Sequence, residues 1–135
     1  VRVDDNTDRT VRISVRTGAR LSMSRSAQGR VFCAFLEEDE VPGLGSLLRR
    51  NPDLRSELET IRETGISVNT PADNGVRTIA APIFQDATIV ATMAIVGTTA
   101  AVADETGSPA AQALLGISRS LTQELGASGP ITRGF

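Results

Sequence analysis

Apolar and polar positions alternate along this chain in two different ways, and the difference predicts the middle of a sheet. Residues Gly75 to Gly97 read GVRTIAAPIFQDATIVATMAIVG, two apolar runs around the polar interruption Gln85-Asp86-Ala87-Thr88. Both runs are apolar on each alternating face. Ile79, Ala81 and Ile83 point one way, and Ala80, Pro82 and Phe84 the other. Across the turn, Ile89, Ala91, Met93 and Ile95 oppose Val90, Thr92, Ala94 and Val96. A strand with one wet face alternates apolar with polar residues, so this pattern predicts a hairpin inside a sheet, covered on both faces. Core helices suit one cover; a ligand pocket or a partner subunit suits the other. The earlier run Val11, Ile13, Val15 does alternate, with Arg12, Ser14 and Arg16. It predicts a half-buried strand ended by Gly18. Val1-Arg2-Val3 reads as the end of another strand, with the polar loop Asp4 to Thr10 between them.

Helical spacing fills much of the rest. Ala27 to Leu36 predicts a helix with Ser24 or Ser26 as cap and Val31, Phe32, Phe35 and Leu36 on one side. The acidic run Glu37 to Glu40 and Pro42 open a further helical turn carrying Leu44, Leu47 and Leu48. Asn51, Pro52 and Asp53 form a cap, a first-turn proline and a dipole partner for a third helix. Its buried stripe is Leu54, Leu58 and Ile61, and Gly65 stops it. Ile66 to Asn69 follows as a strand, and Thr70 to Gly75 as a loop into the hairpin. Thr98 to Gly107 is irregular. Ser108-Pro109 opens a last helix with Leu114, Ile117, Leu121 and Leu125 in register, Leu115 outside that stripe, and Gly126 as its end. Short connections between strands favour a mostly antiparallel α+β sheet over a parallel one.

Composition narrows the chemistry. At 135 residues, 40% apolar and 22% charged, the chain is one globular domain by size. Its net charge of −2 gives no electrostatic footprint for nucleic acid. No apolar run approaches a membrane span, and no signal peptide is visible. The single Cys33 excludes an internal disulfide and suits a reducing cytoplasm. The chain has no His, Tyr or Trp, and all 14 of its basic residues are Arg. That removes Ser-His-Asp and Cys-His catalysis, Schiff-base lysines, the P-loop lysine and His-ligated metals. No cofactor, metal or catalytic residue is expected, although a carboxylate pair could still do acid–base work.

Local motifs have bland readings. Gly43-Leu44-Gly45 follows acidic residues with no strand before it, so it is not a phosphate loop. Cys33, mid-helix among apolar residues, reads as a buried structural thiol. The cluster Glu37 to Glu40 reads as a solvated helix cap, since consecutive positions do not converge on a metal. Arg25 and Arg30 flank a helix start whose free N–H groups could hold an anion.

Four segments in order strengthen that last idea: GARLSMSRSAQGRVFCAFL (18–36), IRETGISVN (61–69), GVRTIAAPIF (75–84) and MAIVG (93–97). Together they resemble the C-terminal effector-binding domain of IclR-type bacterial transcriptional regulators, over nearly all of residues 2–126. The resemblance implies a GAF-like, six-stranded antiparallel sheet with helices on one face and a small-molecule pocket. It implies dimers or tetramers, and an N-terminal winged helix-turn-helix that binds operator DNA and is not among these residues. The domain's first helix and strands would precede Val1. On this reading 1–126 is a partial effector-binding domain and 127–135 a flexible tail.

The same resemblance suggests the effector-contacting positions: Met23, Arg25, Ala27 and Gln28 around the helix start, Asn69 after its strand, and Pro82, Ala94 and Val96 in the hairpin. Positions that often carry serine hydroxyls in the family are here Ala94 and Val96. The hairpin turn lacks the family's glycine and reads as one residue shorter. A metabolite sensor is therefore expected, taking an organic acid with an apolar body and controlling the oligomer, with no membrane partner. A GAF-like oligomerisation module without a ligand is the alternative, and an enzyme is the third class.

Overall fold

The computed structural model describes residues 20–71, 75–104 and 106–132, with side chains as far as residue 126. The expected strands at 1–3 and 11–15 lie outside the described residues, as do positions 72–74 of the expected loop. Helix α1 spans Ala27–Phe35, a 3-10 turn spans Glu38–Glu40, α2 spans Leu44–Arg50 and α3 spans Pro52–Thr64. Strands β1 (Ser67–Asn69), β2 (Val76–Gln85) and β3 (Thr88–Thr98) follow, and α4 (Pro109–Thr132) closes the described chain. The architecture is α+β, with an antiparallel sheet of order β1-β2-β3.

Local chemistry sets most boundaries. Ser26, not Ser24, caps α1, its hydroxyl accepting from the Gly29 amide at 2.9 Å. Asn51 caps α3 through the Leu54 amide, and Gly65 ends it with a positive φ of 76°. The acidic run forms a capping box on the 3-10 turn, in which the Glu37 amide donates to the Glu40 carboxylate. Helix α4 passes through Gly126, where the sequence places its end, and continues to Thr132. One glycine inside a helix costs only about 1 kcal/mol, too little to stop it alone.

Both faces of the hairpin are covered, each by its own core. Val31, Leu48, Leu58 and Ile61 join Ala80 and Ile89 in one cluster, with Phe84 and Ala94 against it. Leu114, Leu115 and Val102 join Ile79 and Ala81 in the other, with Met93 and Ile95 against it. The alternation read from the sequence therefore holds along β2. It fails at one residue of β3: Ile89 sits in the α1–α3 core, not with Met93 and Ile95. A register shift at Ile83/Phe84 pairs Phe84 with Ile89 and Ile83 with Ala91, which turns Ile89 over.

Helix α4 departs from its sequence-predicted stripe at one position. Leu114 is buried and Leu121 and Leu125 are half-buried, but Ile117 is exposed, and Leu115 and Ser118 are buried in its place. The reason lies in the sheet. Strand β1 pairs with β2 only over Thr78 to Ala80, so the rest of that edge needs other partners. Ser118 donates its hydroxyl to the Pro82 carbonyl, and the Phe84 amide donates to the Thr122 hydroxyl at 3.1 Å. The hydroxyls of α4 thus stand where a neighbouring strand would bond.

Candidate effector-binding face

The start of α1 is fastened to the loop before it. The Ser26 amide and hydroxyl both donate to the Ser22 carbonyl, and the Arg25 amide donates to the Ser22 hydroxyl. The Cys33 thiol points at the Met23 carbonyl, 3.5 Å away. Arg30 binds Ser24 O through Nε at 2.9 Å and pairs with Glu57 of α3 at 3.0 Å. These bonds press the loop so close that a Cβ on Gly29 would lie 2.4 Å from the Ser22 carbonyl oxygen and 2.5 Å from Met23 Cα. Burial pushes the Cys33 thiol pKa up, the mark of a structural thiol and not of an activated one.

Of the first four amides of α1, Gly29 is satisfied by the Ser26 hydroxyl and Arg30 by the Ser26 carbonyl. Ala27 and Gln28 precede the first amide that the helix or its cap takes here, so their N–H groups keep bonding capacity. Of the two flanking arginines, Arg30 is spent on Glu57 and Ser24, whereas Arg25 is exposed and forms no ion pair among the described residues. Met23 is exposed too, Gln28 is half-buried, and Ala27 is buried in the α1–α3 core.

The sheet supplies three cross-strand rows that face α1. One contains Asn69, Thr78 and Val96; the next Ser67, Ala80 and Ala94; the third Pro82 and Thr92. Asn69 of β1 therefore shares one face of the sheet with the hairpin positions Pro82, Ala94 and Val96, the face on which α1 packs. Asn69, Ala94 and Val96 are half-buried and Pro82 is buried.

Two neighbours on those rows escaped the sequence reading. Thr78 stands between Asn69 and Val96. Ser67 is 1% exposed, and its hydroxyl finds no hydrogen-bond partner among the described residues. The period-two signal was there for both: Ser67 alternates with Val68 in step with Asn69, and Thr78 in step with Ala80. Among the described residues no group of three potential metal ligands converges, and no helix is long and apolar enough to cross a membrane.

Comparison with known proteins adds the family. Residues 3–123 match the family model described as bacterial transcriptional regulator IclR C-terminal. HmgR of Pseudomonas aeruginosa is 29% identical, with a TM-score of 0.75 over 87% of this chain and 51% of that one. IclR of Thermotoga maritima is 22% identical, with a TM-score of 0.72 over 88% and 53% of the two chains. The Agobacterium tumefaciens repressor BlcR is 23% identical, with a TM-score of 0.67 over 84% and 51%. The chain thus spans about half the length of these solved relatives. No curated protein sequence matches it.

Proposed function

The chain belongs to the IclR family of bacterial transcriptional regulators, as their C-terminal effector-binding domain, and from that premise we propose that it senses an organic acid between the start of α1 and the sheet face beneath. On this reading the three-stranded sheet is part of a GAF-like topology. The effector's carboxylate meets the Ala27 and Gln28 amides, the Gln28 and Asn69 side chains and Arg25. Its apolar body lies against Pro82, Ala94, Val96 and Met23. Ala94 and Val96 carry no donor, and a buried carboxylate must replace its lost water bonds, so small polar acids are disfavoured. Binding stabilises one arrangement of a dimer or tetramer and so respaces winged helix-turn-helix domains on operator DNA, which lie outside this chain.

The observation that supports this reading most is the register of β1, β2 and β3, which gathers Asn69, Pro82, Ala94 and Val96 on the face toward α1. A thermal-shift screen of aliphatic and aromatic acids tests it. A ligand at about 100 times its dissociation constant adds about 2.7 kcal/mol of stability. Stabilisation by branched or aromatic acids, diminished in Asn69→Ala and Val96→Ser, is expected. Stabilisation by glyoxylate or pyruvate alone, untouched by those variants, overturns both the preference and the site. Silence from the whole panel favours an oligomerisation module without a ligand.

A further inference from the structure

The open half of the β2 edge borders a cleft at the C-terminal end of α1, which shares Pro82 with the face described above. One wall is the end of α3, with Arg62 and the last residue of α1, Phe35; the other is α4, with Leu115 and Arg119. Pro82 and Phe84 form the floor, and the volume is about 420 Å³. That lies within the range of small-molecule sites, about 300–1,000 Å³.

We propose that this cleft is a second ligand site, for a carboxylic acid carrying one or two aromatic rings. The charge pattern supplies the first reason. Arg62 donates through Nε to the Ala34 carbonyl at 2.6 Å, a bond that fixes its guanidinium against the end of α1. Its two Nη groups form no hydrogen bond or ion pair among the described residues, and neither does the guanidinium of Arg119. One carboxylate, Glu63, shares the lining, so two guanidiniums outnumber it. A guanidinium held at Nε keeps a forked pair of donors matched to a carboxylate.

The floor supplies the second reason. Phe35 and Phe84 meet edge to face with ring centroids 5.1 Å apart, and both are half-buried. An inorganic anion would gain nothing from that surface, whereas an aromatic ring buries apolar area against it. The polar groups at the floor are already used: Ser118 holds the Pro82 carbonyl and Thr122 the Phe84 amide. The arginine rim is left to carry the polar recognition. Because the walls come from both sides of the sheet, a bound acid ties the α1–α3 layer to α4.

Isothermal titration of the chain with benzoate and indole-3-acetate tests the site, with acetate and benzamide as controls for the ring and the charge. Both aromatic acids bind, and acetate and benzamide bind at least about tenfold more weakly, which is about 1.4 kcal/mol. Arg119→Gln, at an exposed position, weakens the acids by a similar factor with an unchanged melting temperature. Arg62→Lys, which keeps the charge and loses the fork, does the same. Asn69→Ala, on the α1 side of the sheet, leaves the arginine-dependent binding event unchanged. Failure of both acids to saturate below about 10 mM, a range weaker than ordinary metabolite binding, overturns the proposal. So does a titration in which every binding event survives both arginine variants. Loss in Asn69→Ala with retention in Arg119→Gln also overturns it, and places the acid under α1, leaving the effector reading standing.

Discussion

Ala87 sits in a conformation that alanine disfavours. It and Asp86 form the two-residue turn between β2 and β3, both with positive φ, 64° and 52°. Two positive φ values between paired strands mark a type I′ turn, where glycine is the usual second residue. The left-handed region costs a residue with a Cβ about 1–2 kcal/mol. Ala87→Gly is therefore expected to raise the unfolding free energy by about 1 kcal/mol, read by urea denaturation; a loss would show that the turn is not under strain. Cys33 gives a second prediction at this scale. With no His, Tyr or Lys in the chain, it is the one side chain that titrates between pH 8 and 10. Burial raises its pKa above 9.0 in the folded state, so the folded state keeps its proton longer than the unfolded one. Stability is full below the unfolded value and falls as pH climbs through the folded one. A urea midpoint that drops as pH rises past the ordinary thiol value, and does not drop in Cys33→Ala, is the expected result. Gly29→Ala should expose the same thiol, because the added methyl displaces the loop at Ser22 and Met23; faster alkylation by iodoacetamide reads it out.

Elements differ in how much of them is legible in the sequence, and the difference follows the range of the forces that set them. Helix α3 was legible to the residue, since Asn51, Pro52 and Gly65 act within a turn of themselves. The β2–β3 hairpin was legible from its two-sided apolar pattern. The burial of Ser118 in α4 was not, because it answers a demand made far along the chain: the Pro82 carbonyl and the Phe84 amide on an edge that β1 leaves open. Leucine spacing cannot announce that a serine will be buried. The bulge that turns Ile89 over is hidden for a similar reason, being a property of the pair of strands. In the candidate site the polar half at the α1 start was visible as a capped helix, while Ser67 and Thr78 needed the register of three strands. Two substitutions test this on α4. Ser118→Ala leaves the Pro82 carbonyl without its donor and is expected to cost about 1–3 kcal/mol. Ile117→Ser removes a 49% exposed side chain and is expected to stay within about 0.5 kcal/mol. Equal costs would restore the leucine stripe as the buried face.

At the scale of the whole molecule, charge decides what this chain can hold directly. Its net charge is −2, and several of its arginines are tied within the fold. Arg30 is paired with Glu57, Arg77 is fastened to Thr70, Thr99 and Val102 with Asp104 beside it, and Arg62 is tied to Ala34. The exposed run Glu37 to Glu40 would repel a phosphate backbone. A protein gains affinity for duplex DNA by releasing counterions through several basic contacts, and weak non-specific binding still falls at about 10⁻⁴–10⁻⁶ M. A chain of net negative charge gains little from that release. Anisotropy titration against duplex DNA in low salt is expected to show no saturation at tens of micromolar, a concentration inside that non-specific range. Sub-micromolar, sequence-dependent binding would sink the reading of this chain as the sensing part alone. If the titration stays flat, the proposed effect of an acid on DNA passes through parts of the regulator outside this chain. The readout for a candidate acid is then the oligomeric state of the regulator, measured with and without it, before any operator is tried.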